Sequence, residues 1–195
     1  FRFANHAMAL QRLRSIHAEI RRRDEESDLE ALEADPTAHS WRPFQLAFVL
    51  LNLPSTADLH HEQRSHETEA LADLLWFPTG GGKTEAYLGL AAFVLGLRRL
   101  EGPIEGRIGE HGVAVLMRYT LRLLTLQQFQ RATALICACE SIRRTDPSKW
   151  GSNPFRIGLW VGAKATPNWT KDAAQWATQQ RNAQESYSNS GSGSP

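Results

Sequence analysis

From Leu74 to Ala86 the chain reads Leu74-Leu75-Trp76-Phe77-Pro78-Thr79-Gly80-Gly81-Gly82-Lys83-Thr84-Glu85-Ala86. No other stretch restricts the fold as tightly. An apolar, strand-like run enters a turn of three glycines, and a lysine and a threonine then open a helical pattern. A glycine turn of this kind exposes successive backbone N–H groups, and a helix beginning near Lys83 adds the positive end of its dipole, so the segment is predicted to hold phosphate. In such a loop Lys83 reaches the β- and γ-phosphates and the Thr84 hydroxyl holds Mg²⁺. Ala86, Leu88, Leu90, Ala91, Phe93, Val94, Leu95 and Leu97 make the following helix apolar nearly all round, which predicts burial against a sheet.

The remaining periodicities extend this frame. Residues 5–23 carry apolar positions at helical spacing and end in Arg21-Arg22-Arg23; the acidic stretch from Asp24 to Asp35 predicts a second, exposed helix. A further helix is predicted over Leu46–Leu53, stopped by Pro54, and the histidine-containing stretch from Ser55 to Glu69 is predicted to be a polar surface connection. Leu71–Phe77, Val113–Met117 and Phe155–Gly162 are short apolar runs that predict strands, separated by helices over about 83–100 and 121–142. Strand, helix, strand, helix, strand predicts an α/β fold with a partial parallel sheet and right-handed crossovers. A modest helix is predicted over Lys171–Arg181, and the Ser/Gly/Asn-rich end reads as a flexible tail.

Composition narrows the class. The chain has 195 residues, 42% hydrophobic and 22% charged, an ordinary globular balance with room for one core. No apolar run approaches a membrane span and the N-terminus lacks the apolar core of a signal peptide, so no membrane partner is expected. Cys137 and Cys139 are too few for a disulfide framework or a four-ligand zinc site; they are predicted to be buried free thiols, with a reducing cytoplasm as the expected compartment. The net charge is +1, but His111–Asn182 holds ten Lys and Arg against three acids, net +7. That half is a candidate face for a polyanion, or equally a solvated surface balanced by acids elsewhere.

Phe77 stands where a full G-x-x-x-x-G-K-[ST] loop has its first glycine. What remains, Pro-Thr-Gly-x-Gly-Lys-Thr, resembles motif I of the superfamily 2 helicases and translocases. Trp41-Arg42-Pro43-Phe44-Gln45, upstream of it, is similar to the adenine-recognition element of that superfamily, which implies that the Gln45 amide reads adenine. Arg118-Tyr119-Thr120-Leu121-Arg122-Leu123-Leu124-Thr125-Leu126-Gln127 follows the second predicted strand where motif Ia lies, implying strand-backbone contacts from Thr120, Arg122 and Gln127. Lys164, with Thr166, would contribute from the loop after the third. Together these segments resemble the first motor domain of a bacterial superfamily 2 helicase, of the DrmA type found in DISARM anti-phage systems.

That resemblance implies a P-loop NTPase, RecA-like domain over 41–183, an N-terminal helical extension over 1–40 and a tail over 184–195. It implies ATP and Mg²⁺ as ligands, Gln45, Thr79, Gly80, Gly81, Gly82, Lys83 and Thr84 as the nucleotide site, with Lys83 and Thr84 in the catalytic role. DNA rather than RNA would be the nucleic-acid partner, alongside other anti-phage defence proteins. The chain departs from the pattern in having no Asp-Glu-x-His or similar pair after a fourth strand, so by itself it is expected to bind nucleotide weakly and hydrolyse it little. The alternatives are a nucleotide- or nucleic-acid-binding module that never turns over ATP, or a small-molecule kinase, which the missing first glycine disfavours.

Overall fold

The computed structural model describes residues 1–68, 71–78, 80–119, 122–160, 167 and 169–190, with backbone only at 122–124 and 183–190. Eight α-helices are assigned there: α1 (Arg2–Arg22), α2 (Leu29–Ala34), α3 (Pro43–Ala57), α4 (Glu62–Ser65), α5 (Lys83–Leu100), α6 (Arg122–Thr145), α7 (Pro147–Trp150) and α8 (Thr170–Ser190). A 3₁₀ turn (Pro36–His39) follows α2, and the strands β1 (Pro103–Ile104) and β2 (Arg107–Ile108) lie between α5 and α6. The chain forms two units, Phe1–Ile157 and Gly158–Pro195. All the packing described below lies in the first.

The core of that unit is helical. Phe3, Ala4, Ala7, Met8 and Gln11 recur at helical spacing and form the buried face of α1. On α5, Ala86, Leu88, Ala91, Ala92 and Phe93 are buried, and α6 contributes Ala132, Leu135, Cys139 and Ile142. Helices α1, α3 and α6 all pack on α5. The short side chains on α5 permit this close approach: a Cβ at Gly89 would meet the Trp41 ring at 2.5 Å, and one at Gly96 would meet Phe3 at 2.6 Å. The Trp150 and Phe155 rings close the far side of Phe3, with centroids 4.5 and 5.8 Å away.

Local chemistry accounts for the element ends. Asp28 caps α2 by accepting the Glu30 N–H at 2.9 Å, and Asp146 caps α7 by accepting that of Lys149 at 3.1 Å. Pro43 occupies the first turn of α3, where a proline loses nothing. Glu105 (φ 48) and Gly106 (φ 77) form the left-handed two-residue turn that joins β1 to β2, pairing Pro103 with Ile108 and Ile104 with Arg107.

The predicted α/β fold is not observed. The first unit is a helical assembly, and the sheet among the described residues is the antiparallel β1–β2 pair. Leu71–Phe77, Val113–Met117 and 155–160 run as irregular chain with no strand ladder, so the RecA-like partial parallel sheet flanked by helices is overturned. The physical reason is that a parallel strand has no local partner. Its hydrogen bonds come from another strand across a crossover, and an apolar run alone supplies none. The apolar face of α5, expected to lie on a sheet, is covered by α1, α3 and α6. The irregular runs leave large side chains in solvent, Trp76 at 87% and Leu116 at 77% of full exposure.

Smaller expectations were also corrected. Helix α3 does not stop at Pro54 but runs through it to Ala57, and the Asp58 N–H closes the last turn onto the Pro54 carbonyl at 3.0 Å. Cys139 is buried and its thiol is pushed up to about 12 by that burial, whereas Cys137 is exposed. Helix α8 continues to Ser190, into the stretch that composition assigned to a tail. The polar connection after α3 contains α4, and no group of His, Cys, Asp and Glu suited to a metal ion is found among the described residues.

Candidate nucleotide phosphate site

The glycine turn sits between α3 and the start of α5. Gly80 (φ 80) and Gly82 (φ 94) are left-handed, a conformation that any side chain strains. Gly81 donates its N–H to the Pro78 carbonyl at 3.1 Å, closing the turn. Gly82, the N-cap of α5, has no side chain with which to cap that helix, and no other side chain among the described residues caps it, so among them the amides of its first turn are left for another acceptor.

Two side chains from the start of α3 hold the turn by its carbonyls. Arg42 Nη1 donates to Gly81 O at 2.6 Å, and Gln45 Nε2 donates to Gly82 O at 2.8 Å. The peptide bonds here are trans, so each bound carbonyl turns the N–H of the same peptide, those of Gly82 and Lys83, to the opposite side. Arg42 and Gln45 thereby aim two consecutive amides away from α3, as an anion cradle requires. A Cβ at Gly82 would come within 2.7 Å of Gln45 Nε2, so the turn and the amide fit only because that residue is glycine.

Around this cradle the side chains are firmly engaged. Gln45 is 5% exposed, and its Oε1 accepts the Arg42 N–H at 2.9 Å. Both ends of the amide predicted to read adenine are thus spent within the protein. Lys83 Nζ donates to the Phe77 carbonyl at 2.5 Å, folded back on the strand-like run. Phe44 and Phe77 stack face to face, centroids 3.8 Å apart, beneath the turn; a Cβ at Gly81 would meet Phe77 at 3.0 Å. Trp41 wedges against Gly89 and donates its indole N–H to Asn5 Oδ1 at 2.7 Å, anchoring the start of α3 to α1 and α5.

Glu85, in the first turn of α5, forms an ion pair with Arg131 of α6. Burial, and the Arg12 charge after it, hold the Arg131 guanidinium below its ordinary pKa. An acid in the first turn of α5 complements the helix dipole, but its pairing with Arg131, and the hold of Arg42 on the turn, depend on segments distant in the chain. Arg42 stood inside the quoted Trp-Arg-Pro-x-Gln cluster and was open to recognition; Arg131 carries no local signal.

Of the predicted nucleotide residues, the structure brings Gln45, Gly80, Gly81, Gly82, Lys83 and Thr84 together, while Thr79 lies outside the described residues. Of the predicted nucleic-acid residues, Gln127 is exposed on α6. Thr120 and Lys164 lie outside the described residues, as does the side chain of Arg122.

No family model matches the chain. Over 136 residues it is 50% identical to a protein of Bacillus paralicheniformis named "DISARM protein DrmA". The match spans 69% of this chain and 12% of that protein, so the chain accounts for a small part of its relative's length.

Proposed function

We propose that this chain is the ATP-binding part of an ATP-dependent DNA helicase or translocase acting in anti-phage defence beside other proteins of that response. The observation that carries the reading is the start of α5, which no side chain among the described residues caps and where Gly82 and Lys83 turn their amides away from Arg42 and Gln45. The residues fit a triphosphate. Two aimed amides and a helix N-terminus would receive it, and Lys83 would leave the Phe77 carbonyl to meet it. Mg²⁺, held by the Thr84 hydroxyl, would supply charge neutralisation at the phosphates. The identity shared with the DISARM protein DrmA supports the defence setting. The basic segment from His111 to Asn182 supports a nucleic-acid partner.

A second reading, a module that binds nucleotide or nucleic acid without hydrolysis, is favoured by the engagement of Gln45 and Lys83 within the protein. One experiment addresses both. ATP·Mg²⁺ binding is measured calorimetrically for the chain and for Lys83→Ala, with ATPase activity followed on DNA. Losing one charge-assisted contact should cost about 2–3 kcal/mol, a weakening of roughly a hundredfold. Equal affinity for the two proteins would refute the phosphate-site assignment. Binding without turnover at any DNA concentration would favour the second reading.

A further inference from the structure

The Glu85–Arg131 pair puts a carboxylate where the proposed function least needs one. Glu85 follows Lys83 and Thr84 directly, and a triphosphate carries several negative charges. One carboxylate oxygen, Oε1, meets Arg131 Nη2. The other, Oε2, is buried without a hydrogen-bond partner among the described residues, and lies 3.4 Å from where a Cβ on Gly82 would stand. The acid therefore lies beside the Gly82 backbone, where Gln45 Nε2 and Arg42 Nη1 also approach. The pair is largely shielded, Glu85 at 18% and Arg131 at 38% side-chain exposure, so the Coulomb interaction is only partly screened.

We infer that Arg131 is a positioning and charge-compensating residue of the phosphate site: it cancels the Glu85 carboxylate beside Gly82, so that a polyphosphate can enter. The inference rests on the functional reading above. It gives α6 a part in nucleotide affinity although the glycine turn lies between α3 and α5. An unpaired Glu85 would repel the β- and γ-phosphates, and an Arg131 freed of its acid would attract them. The two residues thus have opposite signs of effect, which mere packing partners would not show.

The test uses the full chain with inorganic tripolyphosphate and with ATP·Mg²⁺, since the first isolates the phosphate contribution from any base contact. Arg131→Met is expected to weaken both by roughly tenfold, the scale of one uncompensated charge in a partly shielded site. Glu85→Gln, which keeps the shape and a hydrogen-bond acceptor, is expected to tighten both several-fold. The double variant should return close to the parent. If Arg131→Met does not fold, by circular dichroism, the other two variants still decide. Weaker or unchanged binding by Glu85→Gln, or a double variant no better than Arg131→Met, overturns the inference while leaving the phosphate site standing. A parent chain that binds neither probe overturns both.

Discussion

Glu140 shows how much one side chain on α6 organises. Its carboxylate accepts hydrogen bonds from Arg143 (2.7 and 2.8 Å), Arg144 (3.0 Å) and the Phe155 N–H (3.1 Å). Those bonds, Arg143 foremost, hold its pKa at about 2 despite the opposing effect of burial. Through Phe155 the acid ties the end of α6 to the core aromatic cluster, and Arg143 extends the tie to the Gly151 carbonyl at 3.0 Å. Since the folded pKa lies below the ordinary value of 4.5, the stabilisation is complete above that value and fades as pH drops toward 2. Glu140→Gln should cost about 2 kcal/mol at neutral pH. Urea titrations of the two proteins at pH 7 and pH 3 should show the gap closing in acid; a gap independent of pH would refute the assignment.

At the scale of elements, α5 decides the architecture. Helix propensity and apolar content made it legible as a buried helix, but its partners followed from shape. Gly89 receives Trp41 and Gly96 receives Phe3, and these contacts set α3 and α1 close against it. Since the Phe3 contact includes its Cβ at 3.2 Å, rotation of the ring alone does not make room. Gly96→Ala should therefore destabilise the chain by about 1–2 kcal/mol, because overpacking outweighs the helix propensity gained. Thermal unfolding checks this, and a rise in Tm would show that α1 is free to retreat. The same tight contact explains the site: Trp41 fixes where α3 begins, and Arg42 and Gln45 reach the glycine turn from that point.

For the molecule as a whole, the apolar runs at Leu71–Phe77 and Val113–Met117 stand out. Read alone they predict strands, and the structure leaves them irregular, unladdered and largely solvent-exposed. Exposed apolar surface of this kind binds hydrophobic dyes. The folded chain should enhance ANS fluorescence in native buffer, and Trp76→Ser with Leu116→Ser should reduce the signal while shifting stability by no more than about 0.5 kcal/mol. A large loss of stability would mean these side chains are packed. Charge is also redistributed by folding. Three of the arginines in the basic half, Arg131, Arg143 and Arg144, are committed to Glu85 and Glu140, so the surface offered to a polyanion is less basic than composition suggests. No helix among the described residues is long and apolar enough to cross a membrane.

Local order was written in the residues. The helical periodicities of α1, α5 and α6 and the glycine-lysine turn ahead of α5 all follow from contacts within a few positions, where propensity, capping and left-handed glycine operate. What only the tertiary structure decided were the long-range choices: that the apolar runs find no strand partner, that Gln45 spends its amide on Gly82 and Arg42, and that Arg131 meets Glu85. A ladder or an ion pair depends on two segments meeting in space, and neither segment carries in its own spacing the identity of the other.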